Sequence, residues 1–387
     1  TRYLENRADK GFTVIQAVVL AELDGLNTPN SYGHTPLKNN DPAQPDEAYF
    51  EHVDFIVNKA DELGLYIGML PTWGDKFNKK WGVGPVVFTP DNARRYGRFL
   101  GDRYKNSPVI WILGGDRNPE TETQKRIIRA MASGIREGDS GTHPITYHPQ
   151  GGSNSVEWFH NDNWLDFNMF QSGHGEAYNP NFRVTLQNYR RNPTKPTLDG
   201  EPAYEDHPIA WNPENGWFDD FDVRRAAYWS MLAGALGHTY GNHNIWQMWE
   251  PGRDPISSAR TPWYEAVDYP GAYQMTFFRE FFESYPFYEL VPAQQLVEND
   301  ILNQVAPARA AKSRDNRFAL IYIPHGQQVD IDLSMFNGSI IQPSWFNPRL
   351  GNSIELKSLG AEHTGSFDPP ADRAPGNDWV LVLERKE

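Results

Sequence analysis

From residue 1 to about 290 the apolar positions alternate between the spacing of a helix face and short unbroken runs. Residues 2–10 read as a helix ending at Gly11, and 13–20 as an apolar strand. After a Pro/Asn-rich loop at 27–45, Asp46 is placed to cap a helix whose stripe is Phe50, Val53, Val57 and Ala60, with Gly64 behind it. A strand at 65–70 follows, then a helix opened by Thr89 and Pro90 with Ala93, Tyr96, Phe99 and Leu100 on one face. The strand at 109–113 leads to Asn118-Pro119, which opens a helix carrying Ile127, Ile128, Met131 and Ile135. Strands at 145–148, 167–171 and 196–198, a short helix near 180–189, a helix at 223–236 stopped by Gly237 and a last strand at 239–245 complete the series.

Strands alternating with helices at this spacing imply βαβ units and a parallel sheet. The expected class is α/β, a (β/α)8 TIM-type barrel. Only seven barrel strands are counted where closure needs eight, so the first is expected upstream of Thr1. A doubly wound sheet is the alternative, and no Gly-x-Gly-x-x-Gly follows any strand to support its dinucleotide-binding version. Near residue 292 the texture changes. A helix at 269–285 ends at Pro286, and short runs at 318–323, 329–333, 340–346 and 379–383 are separated by turn residues. The expected organisation is therefore a barrel over residues 1–291 and a small antiparallel β-sandwich over 292–387, packed on the barrel as a brace.

Composition narrows the function classes. A net charge of −14 argues against nucleic acid or an anionic membrane surface as a partner. Cysteine is absent, which excludes disulfides and thiolate metal sites. No apolar run is long enough to span a membrane. The 13 Trp and 18 Tyr supply core volume and, at a few positions, flat faces for sugar rings.

In such a fold the working groups sit where strands end. Those ends carry Gln16 with Glu22, Trp73 with Asp75, Asp116 with Arg117, His148, Gln171 with His174, Asp199 with Glu201, and finally Asn242, His243 and Trp246. Asp116 lies past the fourth strand and Glu201 past the seventh, counting the absent strand as first. Two strand-end carboxyls facing each other suit glycoside hydrolysis, in which one protonates the leaving oxygen and the other attacks or stabilises the anomeric carbon. Bland readings stand beside each. Asp116 could be a helix-entry residue, Asn118 an N-cap, and Glu205, Asp206 or His207 could stand in for Glu201. Zinc or manganese on His148, His174 and His243 is a minor alternative; no metal and no cofactor are expected. Trp73, Trp81 and Trp246 are candidate stacking platforms.

The run from Lys10 through Gln16 to Glu22, the segment Trp-Ile-Leu-Gly-Gly-Asp ending at Asp116 with Asn118, and Leu-Asp-Gly-Glu-Pro ending at Pro202 with Tyr204 and Glu205 together resemble glycoside hydrolase family 140, the apiosidases. The resemblance covers nearly the whole chain, including a C-terminal collagen-binding-like β domain. It implies a retaining enzyme that releases apiose from the side chains of pectic rhamnogalacturonan II. By position Asp116 would be the acid/base and Glu201 the nucleophile. Sugar contacts are expected from Gln16, Glu22, Trp73, His148, Gln171, His174, Tyr204, His243 and Trp246. Family members open with a strand similar to Phe-Trp-Leu-Gly-Asp-Thr-Ala-Trp, which has no counterpart here.

The rivals are another barrel glycosidase acting on plant β-glycans and a non-catalytic carbohydrate-binding protein. Against the first, Gly115 precedes the acid where such enzymes usually carry Asn. Long loops at 27–45, 75–87, 151–164 and 207–220 favour a pocket that releases one terminal unit from a plant cell-wall oligosaccharide or polysaccharide. A secreted or periplasmic monomer and a bell-shaped, mildly acidic pH profile are expected.

Overall fold

The computed structural model describes residues 1–299, 305–361 and 363–386. Several of its helices begin where a side chain offers an oxygen to their first amides. After α1 (Arg2–Asp9), Asp46 accepts from the backbone of Ala48 and opens α2 (Glu47–Glu62). Thr89 and Asn92 exchange reciprocal bonds at the head of α3 (Pro90–Tyr104), as Thr121 and Gln124 do for α4 (Glu122–Gly138). The helix expected from Asn118 thus starts four residues later. Thr121 reaches the Gln124 amide, while Asn118 binds neighbouring loops, donating to Ser153 Oγ at 2.8 Å and accepting from the Gln150 amide at 3.0 Å.

The described chain divides into two compact units, Thr1–Gln171 and Ser172–Glu387. In the first, β1 (Val14–Leu20), β2 (Tyr66–Thr72), β3 (Val109–Gly114) and β4 (Ile145–His148) form a parallel sheet in sequence order, with α2, α3 and α4 as successive crossovers. The register pairs Leu20 with Thr72 and Gly114 with His148, so these residues share the carboxyl edge. Ile67, Met69, Trp111, Leu113 and Tyr147 join Phe50, Tyr96, Leu100, Ile128 and Met131 in one core. The fully buried Trp111 indole keeps its hydrogen bond, donating to Asp139 at 3.1 Å. The short α5 (Val156–Phe159) and β5 (Asn168–Phe170) complete this unit.

The second unit begins with α6 (Asn181–Tyr189), β6 (Thr197–Asp199) and α7 (Asp220–Leu232). The last of these is shorter than the expected 223–236: Asp219 caps it with Asp222, and Ala233 ends it before Gly237. The expected strand at 239–245 is not formed. Asn242 makes a single parallel bridge with Glu205, then caps the short α8 (His243–Trp246). After α9 (Trp263–Ala266) and α10 (Pro270–Glu283) come β7 (Leu290–Pro292), β8 (Arg309–Ser313), β9 (Phe318–Ile323), β10 (Val329–Asp332), β11 (Ile340–Asn347), β12 (Asn352–Glu355), β13 (Leu359–Gly360), β14 (Thr364–Phe367) and β15 (Trp379–Arg385). The larger sheet runs β12-β11-β15-β9-β8-β7, antiparallel throughout, with β13 also on β11, while β10 pairs with β14.

Period two explains why β9 and most of β15 read as unbroken apolar runs. Ala319, Ile321, Ile323, Leu381 and Leu383 pack with Val329, Ile331 and Phe367. Their alternates Phe318, Leu320, Tyr322, Val380 and Val382 pack with Phe182, Tyr228, Trp229, Phe281 and Phe282 of α6, α7 and α10. A strand covered on both faces needs apolar residues at every position. The β region therefore shares a core with those helices. The chain has an α/β fold with a parallel sheet and a C-terminal antiparallel β domain. Among the described residues no helix is long and apolar enough to cross a membrane.

Candidate active site

Asp116 owes its position to a backbone that few residues tolerate. Gly114, Gly115 and Asp116 have φ of 95°, 93° and 53°, three successive left-handed residues. A side chain on Gly114 would meet the His148 carbonyl at 2.4 Å, and one on Gly115 the Trp73 ring at 2.9 Å. The turn is stitched to its neighbours by Gly74 N–H to Gly115 O, 2.9 Å, and Gly115 N–H to His148 O, 3.1 Å. The Asp116 amide donates to His148 Nδ1 at 3.2 Å, and the Trp73 and His148 rings lie 6.0 Å apart. Trp73, Asp116 and His148 are thus brought together.

Arg117 makes this a charged corner. It donates to Asp116 Oδ2 at 2.9 Å, and its guanidinium lies 4.1 Å from the centre of the Trp81 ring, which is 61% exposed. Burial pulls the Arg117 pKa below its ordinary value, partly offset by the negative charges of Asp116, Asp75 and Glu22. Beneath it Asp75 and Lys76 form a fully buried pair at 2.7 Å, and Asp75 also accepts from the Gly84 amide at 2.8 Å.

Glu201 is set by a second construction, in the other unit. Buried Asp199 accepts from Ser172 N at 3.1 Å, Ser172 Oγ at 2.6 Å and Asn181 Nδ2 at 3.1 Å. Burial outweighs those bonds and raises its pKa to about 6. The Gly173 amide donates to Glu201 O at 2.9 Å, which brings His174 Nε2 to 3.1 Å from Glu201 Oε1. The Glu201 side chain is 12% exposed, enough to meet a substrate while staying largely desolvated. Tyr204 packs on His174 with ring centres 4.5 Å apart, in space left by Gly241, where a Cβ would fall 1.9 Å from the Tyr204 ring.

Behind His174 lies a ladder of imidazoles. His207 stacks on it at 4.2 Å and 24°, and His243 meets His207 edge to face at 4.4 Å. His207 Nδ1 donates to the Pro208 carbonyl at 2.7 Å, and burial first, then the neighbouring imidazoles, lower its pKa to about 3. Both nitrogens of His243 are occupied. Nε2 donates to the carbonyls of Ile256 and Ser257 at 3.1 and 3.0 Å, while Nδ1 accepts from Trp246 Nε1 at 3.3 Å. His243 braces the loop and leaves no ring nitrogen for a sugar hydroxyl, unlike the contact expected of it. Trp246 is 39% exposed.

Of two other expected contacts, Gln16 lies apart from its strand's end, whereas Gln171 directly follows β5. Gln16 is in mid-strand, paired with Gly68 and four residues before Leu20, about 13 Å along the strand from its end. Gln171, 5% exposed, gives its backbone N–H to Ser153 and its carbonyl to Gly152. Beyond the residues the sequence pointed to, the structure adds the packing of Arg117 on Trp81, the stacking of His207 on His174, Gly241 and Trp211; a Trp among Pro and Asn was the available signal for the last. Among the described residues no group of three or more His, Asp or Glu is arranged to hold a metal ion.

Comparison with known proteins converges with this chemistry. Residues 1–289 match the family described as apiosidase-like, catalytic domain, and residues 291–384 match a family described as a collagen-binding domain of a collagenase. A solved structure titled glycoside hydrolase is 31% identical, with a TM-score of 0.90 over 99% of this chain and 88% of its own. A glycoside hydrolase family 5 structure from Bacteroides vulgatus ATCC 8482 is likewise 31% identical, with a TM-score of 0.90 over 99% of this chain and 85% of its own. No curated protein matches. With partly open acids just past two strands and a family match that includes both, the chain is a glycosidase with a carbohydrate substrate, and it belongs to the apiosidase-like family of glycoside hydrolases.

Proposed function

We propose that this enzyme is a retaining exo-hydrolase that releases apiose from the side chains of pectic rhamnogalacturonan II, its parallel strands forming part of a (β/α)8 barrel. Asp116 donates the proton to the leaving oxygen and then takes one from water. Glu201 attacks the anomeric carbon and is released when that water arrives. The observation that carries the reading is how each acid is held. Asp116 is fixed by a strained turn and a buried guanidinium, and Glu201 by an imidazole, while both keep some exposure. Preorganised carboxyls of this kind supply proton and nucleophile without a cofactor. Trp73, His148 and Tyr204 contribute sugar contacts. A wall polymer is met outside the cell, so the reading carries a secreted or periplasmic location with it.

The test is a digest of rhamnogalacturonan II oligosaccharides followed by NMR at early times. Expected are free apiose in its retained anomeric configuration, a bell-shaped pH profile in the mildly acidic range, and losses of at least about a thousandfold in kcat for Asp116→Asn and Glu201→Gln. Internal cuts without monosaccharide, an inverted product, or unchanged rates in the two variants would overturn it.

A further inference from the structure

Residues 206–218 form a braced hairpin with one conspicuous residue at its tip. Asp206 N–H bonds Phe218 O at 2.8 Å, Phe218 N–H bonds His207 O at 3.0 Å, and Ile209 N–H bonds Gly216 O at 3.0 Å. The base is anchored by Asp206, which accepts from Arg260 Nε at 2.8 Å, Asn244 Nδ2 at 2.9 Å and Tyr269 OH at 3.1 Å. At the tip, Ala210 and Trp211 have φ of 53° and 59°, two adjacent non-glycine residues in the left-handed region. Such a pair persists only where its surroundings hold it. The Ala210 amide is tied to the His174 carbonyl at 2.8 Å.

That conformation holds a large indole out in water: Trp211 is 57% exposed. It is also aimed. Its ring stands nearly perpendicular to His174 and His207, at 6.0 and 5.8 Å, and His174 is the residue in contact with Glu201. A rigid, half-bare indole one side chain away from a reacting carboxylate matches the apolar C–H face of a sugar ring. The released sugar has to reach Glu201, which is only 12% exposed, whereas Trp211 projects to solvent from a loop tip. The ring it meets is therefore the next one, on the leaving-group side.

Building on the proposed function, we infer that Trp211 is the stacking platform of a leaving-group subsite and sets the enzyme's preference for a glycan over a simple glycoside. The experiment compares wild type, Trp211→Ala and Trp211→Phe on a rhamnogalacturonan II oligosaccharide and on apiosyl fluoride, which has no ring beyond the cleaved bond. For Trp211→Ala, kcat/KM on the oligosaccharide is expected to fall about tenfold, chiefly through KM, with the fluoride unaffected and Phe restoring most of the loss. An equal loss on both substrates, or none on the oligosaccharide, overturns the subsite and leaves the proposed function standing. A second measurement titrates the oligosaccharide into Glu201→Gln and follows tryptophan fluorescence. Quenching that disappears in Glu201→Gln/Trp211→Ala supports the subsite even if the wild type cleaves nothing and the proposed substrate fails. Titration without binding in that case ends both.

Discussion

His174 Nε2 stands 3.1 Å from Glu201 Oε1, and the imidazole stacked behind it, His207, is held neutral by burial. His174 therefore gives the carboxylate a directed N–H from a ring that its stacking partner keeps from tilting. A hydrogen bond to a charged group is worth about 1.5–3 kcal/mol, or roughly ten- to a hundredfold in rate if it matters in the transition state. His174→Ala is expected to lower kcat by that factor with a smaller change in KM, and His174→Gln, which keeps a donor, to recover part of it. Matching losses in the two variants would show that the ring fills space and nothing more.

The turn before Asp116 makes a sharper prediction. At Gly114 and Gly115 a methyl group meets a left-handed φ and a contact inside 3.0 Å together. Gly115→Ala would have to displace Trp73, and Gly114→Ala the His148 carbonyl. Each is expected to cost about 1–3 kcal/mol in urea unfolding and to abolish most activity, since the misplaced group is the one beside Asp116. Wild-type activity in Gly115→Ala would mean that this turn does not aim the acid.

Much of this was legible in the sequence because local signals decided it. The caps at Asp46 and Thr89, the helix stripes and the Gly-Gly before Asp116 depend on neighbours in the chain, and so does the turn to β domain after residue 290. Failures came where distant packing decided. Asn118 resembled a helix cap but serves two loops, and residues 239–245 have strand-like composition yet are consumed by caps and bridges to Glu205 and Ile256. Gln16 has the right residue type in the right strand, and only the register places it below the edge. Trp211 was hidden, as was the stacked role of His207, which the sequence offered only as a substitute for Glu201, because stacking on His174 is a contact between chain segments with no sequence period.

The shared core of the second unit is locked by one ion pair. Arg224 of α7 donates to Asp378 through Nε at 2.9 Å and Nη2 at 2.7 Å, and Asp378 also accepts from Tyr322 at 2.9 Å. Both charges are fully buried. Asp378→Ala leaves the guanidinium with Asp220 and Gln274 on its other side, and a loss of about 3–5 kcal/mol is expected. The double variant Arg224→Met/Asp378→Leu should regain much of it, because two well-packed apolar groups avoid the desolvation penalty. Urea titrations of the three proteins decide this, and a double variant no better than Asp378→Ala would contradict it. By the same packing, a chain cut at residue 290 exposes Tyr228, Trp229, Phe281 and Phe282 and should be insoluble.

Glu205 provides the pH prediction. It is 3% exposed, accepts from the Gly271 amide at 3.0 Å and from Tyr240 OH at 2.5 Å, and burial raises its pKa from 4.5 to about 7 against those two bonds. Below pH 4.5 the group is protonated in both folded and unfolded chains and has no effect on the pH slope. Between 4.5 and 7 the folded chain keeps a proton that the unfolded chain has lost, so this group's contribution to stability falls as pH rises through that window. Above 7 both forms are ionised and the loss, on the order of 3 kcal/mol, is complete. In Glu205→Gln the amide oxygen can still accept from Gly271, and its nitrogen can donate to the Tyr240 oxygen, without any charge to bury. The melting temperature of Glu205→Gln relative to wild type should therefore climb by a few degrees from pH 5 to pH 8, read by calorimetry at unit intervals. A difference that stays constant across those pH values would mean that Glu205 titrates as an ordinary carboxyl.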